Sequence, residues 1–444
     1  MLDNRQKPWM AVAKRREKKY GKLYGVYDGA TPKLVISDPV ILKQIMTRDF
    51  DHFAARITGR FEHSIERLMF AVHDGDRWAV WRRLVTQSFS PLKMKAMMPL
   101  ISSANDNLIA ELEKRMKSGK CIVDLKEVFY NFAMESVAKT GLGIDMNLHV
   151  EKQPLMEAIK SYFKPTIFSI AMSMMLPQWF KRAIDFTMFN KKGLVSAVTY
   201  TRAVIDERRK TINQKRAFDD FTSILLQSSI NDKPIPEEEI IANVMLLFVA
   251  GYETTALTLS IATFVLAQHP DEQEKLFQEI ISVSNGDPSN ITIESVSSMK
   301  YLDAVLNETQ RLYPSATYTD RRITKEYKLN GISLPVGLQV FIPIYLIQHD
   351  EKYHRDPENF DPERFMPDRL QEMDAYTHMP FGHGPRNCPG MRFALIQTKI
   401  ALSRMLLHFQ VEATNPGKPV IDVSGTVDEM LETPDLVAKF EVRG

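Results

Sequence analysis

Cys388 is one of only two cysteines in the chain and sits in Pro380-Phe381-Gly382-His383-Gly384-Pro385-Arg386-Asn387-Cys388-Pro389-Gly390. Three glycines and three prolines in eleven residues predict a rigid, tightly turned loop whose backbone N–H groups can approach a sulfur closely. The amphipathic stretch MRFALIQTKIALSRMLLHF follows, so a helix points its positive end at the same atom. Both effects favour thiolate over thiol. Such a thiolate serves either as a nucleophile or as the axial ligand of a haem iron. Cys121, in KSGKCIVDL, lacks this setting and reads as core.

A second segment with chemical potential is Ala250-Gly251-Tyr252-Glu253-Thr254-Thr255. It lies in a run from Ile240 to Pro270 whose one charge is Glu253. Hydropathy alone would make this a membrane helix, but Asn243, Thr254, Thr255, Thr258, Ser260 and Thr263 are scattered along it. Pro236 and Glu237–Glu239 start it and Pro270 stops it. The expectation is one helix of roughly 30 residues, ~45 Å long, apolar all round because it runs through a large protein. Glycine in mid-helix costs ~1 kcal/mol relative to alanine, so Gly251 predicts a close neighbour. Leu246, Ala250 and Thr254 share one face, a small residue beside a hydroxyl, with room for a flat ligand. A kinked helix with locally bonded threonines accounts for the same residues. An ionised Glu253 is costly there unless paired or hydrated.

The elements that must position these groups read as mainly helical. The chain has 444 residues, 44% hydrophobic and 25% charged, which excludes collagen, coiled-coil and disordered classes. Two cysteines exclude a disulfide scaffold and a structural zinc cluster. A net charge of +2 from 57 basic and 55 acidic residues gives no sign of nucleic-acid binding. Residues 1–23 carry eight basic side chains, among them Arg5, Lys7, Lys14 and Arg15, with no apolar h-region after them. No signal peptide or amino-terminal span is therefore expected, and the segment is either a solvated helix or a patch for an anionic membrane. Pro165–Phe180, between Lys164 and Lys181, is too short to span a bilayer, for which ~20 residues are needed. It reads equally as a core helix–loop–helix and as an interfacial patch ending near Trp179. Helices are expected over Arg77–Ser90 and Ser298–Leu312, a hairpin at Asn330-Gly331, and a buried strand in VFIPIYLI. With no repeats and no low-complexity linker, residues 1–444 read as one mainly helical domain with a small sheet late in the sequence.

Two further patterns say little alone: Glu308-Thr309-Gln310-Arg311, with opposite charges at i and i+3, and Pro362-Glu363-Arg364-Phe365. In this order, however, the pieces resemble the cytochrome P-450 haem-thiolate monooxygenases. Phe381, Gly384, Arg386, Cys388 and Gly390 match F-x-x-G-x-R-x-C-x-G, and Ala250-Gly251-x-Glu253-Thr254-Thr255 matches the oxygen-activation motif. Glu308 and Arg311 match E-x-x-R, completed by Arg364, and Trp78 with Arg82 matches W-x-x-x-R. The similarity runs from about Tyr20 to the carboxyl end. It is greatest to the animal microsomal group that includes drug-metabolising enzymes and thromboxane synthase. The hydrophobic anchor and proline-rich hinge of that group are missing.

The resemblance implies the cytochrome P-450 fold, mainly α with a long central helix and small β-sheets, and haem b bound through Cys388. It implies Arg82, Arg386, Trp78, Arg56 and Arg321 around the propionates, with Phe381 and Ala250 beside the cofactor. Thr254 and Glu253 become the alcohol–acid pair that activates dioxygen, and Glu308, Arg311 and Arg364 a structural triad. Val249, Ser315, Ala316 and Thr317 become pocket residues for a lipophilic steroid, lipid or xenobiotic. Electrons would come from NADPH through NADPH–cytochrome reductase, with cytochrome b5 as a further partner. Arg77, Arg82, Arg83, Lys93 and Lys95, with Arg386, Lys399 and Arg404, would form a basic docking face. The expected place is the cytoplasmic face of the endoplasmic reticulum membrane, peripheral or soluble for want of the anchor. Rival functions are a haem-thiolate isomerase or dehydratase acting on a peroxide, disfavoured by Thr254, and a non-catalytic haem protein.

Overall fold

A computed structural model describes residues 9–28, 31–57, 61–151, 153–162, 166–213, 220–230, 232–416, 421–423, 426 and 429–443. Arg5, Lys7, Lys164 and Pro165 lie outside the described residues. The backbone packs as two compact units: Met1–Ala54 with Leu108–Phe129 and Thr254–Gly444, and Ala55–Asn107 with Tyr130–Glu253.

The first unit carries a four-stranded sheet in the order Leu23–Asp28, Thr31–Ile36, Gln339–Ile342, Thr319–Arg322. Thr31–Ile36 runs parallel to Gln339–Ile342, with Val35 opposite Phe341. The early strands went unread in the sequence because neither alternates: Thr31–Ile36 goes from exposed to buried along its length. The predicted strand VFIPIYLI is also shorter than expected. Pro343, which cannot donate to a ladder, ends it, and Ile344–Gln348 is helical. The Asn330-Gly331 turn is present, with φ of 50° and 85° and Leu329 opposite Ile332. Beneath the sheet Ile36, Ile45, Met46, Phe53, Ile342 and Met379 form one apolar cluster. A three-stranded sheet joins Phe409–Ala413, Val437–Val442 and Ile122–Asp124. The helix expected over Ser298–Leu312 begins at Lys300, because Met299 is extended between it and Ile293–Ser298. Cys121 is half-buried rather than core.

The second unit is mainly helical, with a two-stranded ladder of Ser229–Ile230 and Lys233–Pro234. In it Leu125–Leu142 closely approaches the long helix Glu237–Gln268. That helix is 32 residues, about 48 Å at 1.5 Å per residue. It is the one described helix long and apolar enough to cross a membrane, and it is mostly buried within the protein. Two glycines allow the close approach. A Cβ on Gly141 would lie 2.8 Å from Leu247 Cδ2, and one on Gly251 2.9 Å from Val137 Cγ2. The sequence expectation of a close neighbour at Gly251 therefore has its cause in Val137. Gly251→Ala should lower stability by about 1 kcal/mol, since overpacking of ~1–3 kcal/mol outweighs a helix-propensity gain of ~1 kcal/mol. Adding Val137→Ala should recover most of the loss in a denaturant titration. A single Gly251→Ala variant more stable than the parent would contradict this packing.

Ile167–Met175 and Gln178–Ala183 are two short helices that expose three large apolar side chains: Phe168 is 74%, Met175 79% and Trp179 71% exposed. The interfacial reading of this segment, rather than the core one, matches that surface.

Candidate active site

In the cysteine loop Gly382 and Gly384 hold φ of 67° and 72°, a region that L side chains avoid. Gly384 is required twice over, because a Cβ there would lie 1.9 Å from the carbonyl oxygen of Met46. Inside the loop Gly382 N–H donates to Met379 O at 3.0 Å, Asn387 N–H to Gly384 O at 3.0 Å, and Cys388 N–H to Phe381 O at 2.8 Å. Two residues later Gly390 caps the helix Met391–His408, so the half-buried Cys388 thiol lies beside a helix N-terminus. Arg386 is buried and donates from Nε to Ala54 O at 2.8 Å.

The cysteine helix is tied to the end of the central helix within the first unit. Gln397 Nε2 donates to Thr255 Oγ1 at 3.0 Å, both residues buried. Gln397 was missed in the sequence, although a lone amide inside FALIQTKIAL is a readable signal. Thr254, half-exposed, has its carbonyl bonded by Thr258 Oγ1 at 2.9 Å and Ser315 Oγ at 3.4 Å. Both hydroxyls donate to that one main-chain carbonyl, so Thr258 is locally bonded, and the helix runs without a break from Glu237 to Gln268.

Along the central helix Leu246 and Thr254 are partly exposed and Ala250 is exposed, whereas Met245, Phe248, Ala256 and Leu257 are buried. An accessible stripe with alanine at its middle runs along the helix. This is the surface a flat group would need. Val249 is half-buried beside it. Burial pushes the Glu253 carboxyl up from its ordinary value, and the charge of Glu253 adds to the burial that pushes Tyr130 and Tyr252 up. A carboxyl with a raised pKa holds its proton closer to neutrality, which suits proton transfer.

In the second unit Gly75–Ser88 carries Trp78, buried, and Arg82, half-buried, one turn apart on one face; Arg56 is also half-buried. In the first unit Arg321 is buried in its strand, with Nη1 donating to Asp320 O at 2.7 Å. Ser315 and Ala316 are half-buried. Thr317 is fully buried and its hydroxyl donates to Glu429 O at 2.9 Å.

Glu308 and Arg311 are fully buried and paired by two bonds, Nε to Oε2 at 2.7 Å and Nη2 to Oε1 at 2.8 Å. Arg364 Nε reaches Glu308 Oε1 at 3.3 Å, and Asp361 N–H donates to the same oxygen at 2.9 Å. Arg311 also donates to Gln348 O at 2.9 Å and Asn359 O at 3.2 Å. Burial pushes the Glu308 carboxyl up, and the Arg311 bonds pull it back. This network ties the helix Lys300–Leu312 to the turn Pro362–Phe365.

The expected basic docking face needs correction. Lys399 is buried, paired with Asp303 at 2.6 Å and bonded to Val296 O, and Arg386 is turned inward to Ala54. Arg77 pairs with Glu239 at 2.8 Å. Neither Lys399 nor Arg386 is a surface charge, because both are buried against their partners.

Among the described residues no group of three or more His, Cys, Asp or Glu could hold a bare metal ion. A lone thiolate on a glycine-walled turn suits instead a metal that brings its own equatorial ligands, as haem does. The cysteine loop, turned by its two positive-φ glycines and followed by a helix N-terminus, fits that group. The chain matches the family model described as Cytochrome P450 over residues 2–436. It is 34% identical over 412 residues to "Cytochrome P450 3A11" of Mus musculus, covering 89% of this chain and 80% of that one. It is 32% identical over 432 residues to "Cytochrome P450 3A29" of Sus scrofa, covering 90% and 84%. With "Cytochrome P450 3A7" of Homo sapiens it shares 34% over 409 residues, 88% and 79% of the two chains. The family match over residues 2–436 and these relatives make the chain a member of the cytochrome P450 family, a mainly α haem b protein and monooxygenase.

Proposed function

We propose that residues 1–444 act as one catalytic domain in which the Cys388 thiolate would hold the haem iron, and that the substrates are lipophilic steroids, lipids or xenobiotics. The observation that carries this is the Cys388 turn: two positive-φ glycines, a bond from Cys388 N–H to Phe381 O, and a helix N-terminus beside the sulfur. When bound, haem supplies the iron at which dioxygen is reduced and one oxygen atom is passed to the substrate.

The protein's own groups do the rest. The Cys388 loop and helix stabilise the sulfur as thiolate. Arg386, Arg321, Arg82 and Arg56, with Trp78, take the propionates, since a guanidinium fork bonds both oxygens of a carboxylate. Phe381 and Ala250 would lie against the cofactor. Thr254 offers a hydroxyl and Glu253 a carboxyl whose pKa burial raises, which suits the pair to proton delivery. Val249, Ser315 and Ala316 line the substrate space, and Thr317 supports it through its bond to Glu429 O. Glu308, Arg311 and Arg364 keep the fold around the cysteine side.

Electrons come from NADPH through a flavoprotein reductase, with cytochrome b5 as a second donor. Arg82, Arg83, Lys93 and Lys95 remain candidates for the docking face. The place of action is the cytoplasmic face of the endoplasmic reticulum membrane, touched by Phe168, Met175 and Trp179. Co-sedimentation with phospholipid vesicles tests this: Phe168→Glu with Trp179→Glu should reduce binding, and unchanged binding would refute it.

Thr254→Ala separates oxygen activation from the peroxide-isomerase alternative. The variant should retain haem and consume NADPH while product per NADPH falls at least about tenfold. Unchanged coupling would remove Thr254 from proton delivery. Turnover of a peroxide without NADPH or oxygen would establish the alternative.

A further inference from the structure

The helix Pro39–Lys43 does not continue as an α-helix. Gln44–Arg48 widens into a π-turn, closed by Asp49 N–H donating to Gln44 O at 2.9 Å, and a 3-10 turn at Phe50–His52 follows. Such π-turns are rare and frequent at functional sites. This one meets the cysteine loop at two points. The Met46 carbonyl lies where any Cβ on Gly384 would be, at 1.9 Å, and Ala54 O receives Arg386 Nε at 2.8 Å. The two contacts bracket the loop four and two residues before the sulfur.

Side chains pin the turn. Gln44 Nε2 donates to Asp49 Oδ2 at 3.0 Å, and Tyr327 Oη bonds both Gln44 and Asp49. Tyr327 packs edge-on against Phe53 with centroids 4.9 Å apart, and Thr324 N–H donates to His52 O at 2.8 Å. On the other side, buried Ile45 and Met46 join the cluster that includes Tyr376 and Met379. Met379 O accepts the N–H of Gly382, and His383 Nε2 bonds Ala375 O at 2.7 Å. The segment 44–54 is thus fixed by Tyr327 and the core while its main chain presses on the loop. All these residues belong to the first unit.

We propose that the π-turn Gln44–Arg48, pinned by Asp49 and Tyr327, positions the Cys388 loop and so sets the strength of the thiolate's donation to iron. Asp49 and Tyr327 are positioning residues that act through Met46, Ala54 and the loop. The inference rests on Cys388 as ligand. A loop that loses its outer supports lets the sulfur shift or take up a proton, and second-shell supports of this kind govern both ligand geometry and potential.

The test uses the full haem-loaded chain with Asp49→Ala, Tyr327→Phe and the conservative Asp49→Asn. Tyr327→Phe removes one oxygen and keeps the ring on Phe53, so the fold stays in place. The readouts are the share of the reduced carbon-monoxide complex with the thiolate-type Soret band, and the iron reduction potential. Asp49→Ala and Tyr327→Phe should cut that share at least about twofold and shift the potential, while Asp49→Asn, which keeps an oxygen for Tyr327, should resemble the parent. Parental spectra and potentials in Asp49→Ala and Tyr327→Phe, or an equal change in all three variants, would overturn the proposal. A parent lacking the thiolate-type band would overturn the Cys388 reading, and this inference with it.

Discussion

Arg311→Ala should cost about 3–5 kcal/mol, because it strands a fully buried carboxylate. Glu308 would lose two of its bonds at 2.7 and 2.8 Å and keep only Arg364 Nε at 3.3 Å and Asp361 N–H at 2.9 Å. Two carbonyls, Gln348 O and Asn359 O, would lose a donor as well. Against a typical total stability of ~5–15 kcal/mol, this is enough to deplete the folded, haem-loaded protein in cells. Arg311→Lys keeps the charge but cannot form four bonds from a planar fork, so it should also destabilise, by less. Replacing both Glu308 and Arg311 by apolar residues should be milder than the two single changes summed, since neither member of the fully buried pair is left unpaired and only Arg364 loses its carboxylate. Thermal melting with haem content checks this. A midpoint for Arg311→Ala within about 2 °C of the parent would show that the pair does not hold the fold.

Cys388→Ser should abolish thiolate ligation and lower turnover on the order of a thousandfold or more, about 4 kcal/mol of barrier at ~1.4 kcal/mol per decade. A serine hydroxyl stays protonated at neutral pH, so the helix N-terminus beside it has no anion to stabilise. The main-chain bond from position 388 to Phe381 O, and the Gly384 contact with Met46, do not involve the side-chain substitution. The variant should therefore fold, and its defect should be one of ligation. NADPH-driven product formation with reductase present measures it. Parental turnover in Cys388→Ser would place the chemistry elsewhere.

Local backbone signals were legible in the sequence. Cys388 announces itself through glycines and prolines within a few residues, and the central helix through Pro236, three glutamates and Pro270. Groups whose meaning depends on distant partners were not legible. Lys399 reads as a surface charge until Asp303, 96 positions earlier, is beside it. Arg386 finds a main-chain carbonyl at Ala54, and a carbonyl has no sequence signature. Leu23–Ile36 lacks alternation, and Thr31–Ile36 is a strand because Gln339–Ile342 supplies its parallel edge. The Glu308–Arg311 spacing is common on surface helices, and only its complete burial against Pro362–Phe365 makes it structural.

The most direct measurement is the difference spectrum of the purified, haem-loaded full chain after reduction and exposure to carbon monoxide. Iron bonded to the Cys388 thiolate gives the red-shifted Soret band of haem-thiolate proteins, and Cys388→Ser removes it. A spectrum of neutral or nitrogen ligation in the parent, or a thiolate-type band that survives Cys388→Ser, would contradict the account.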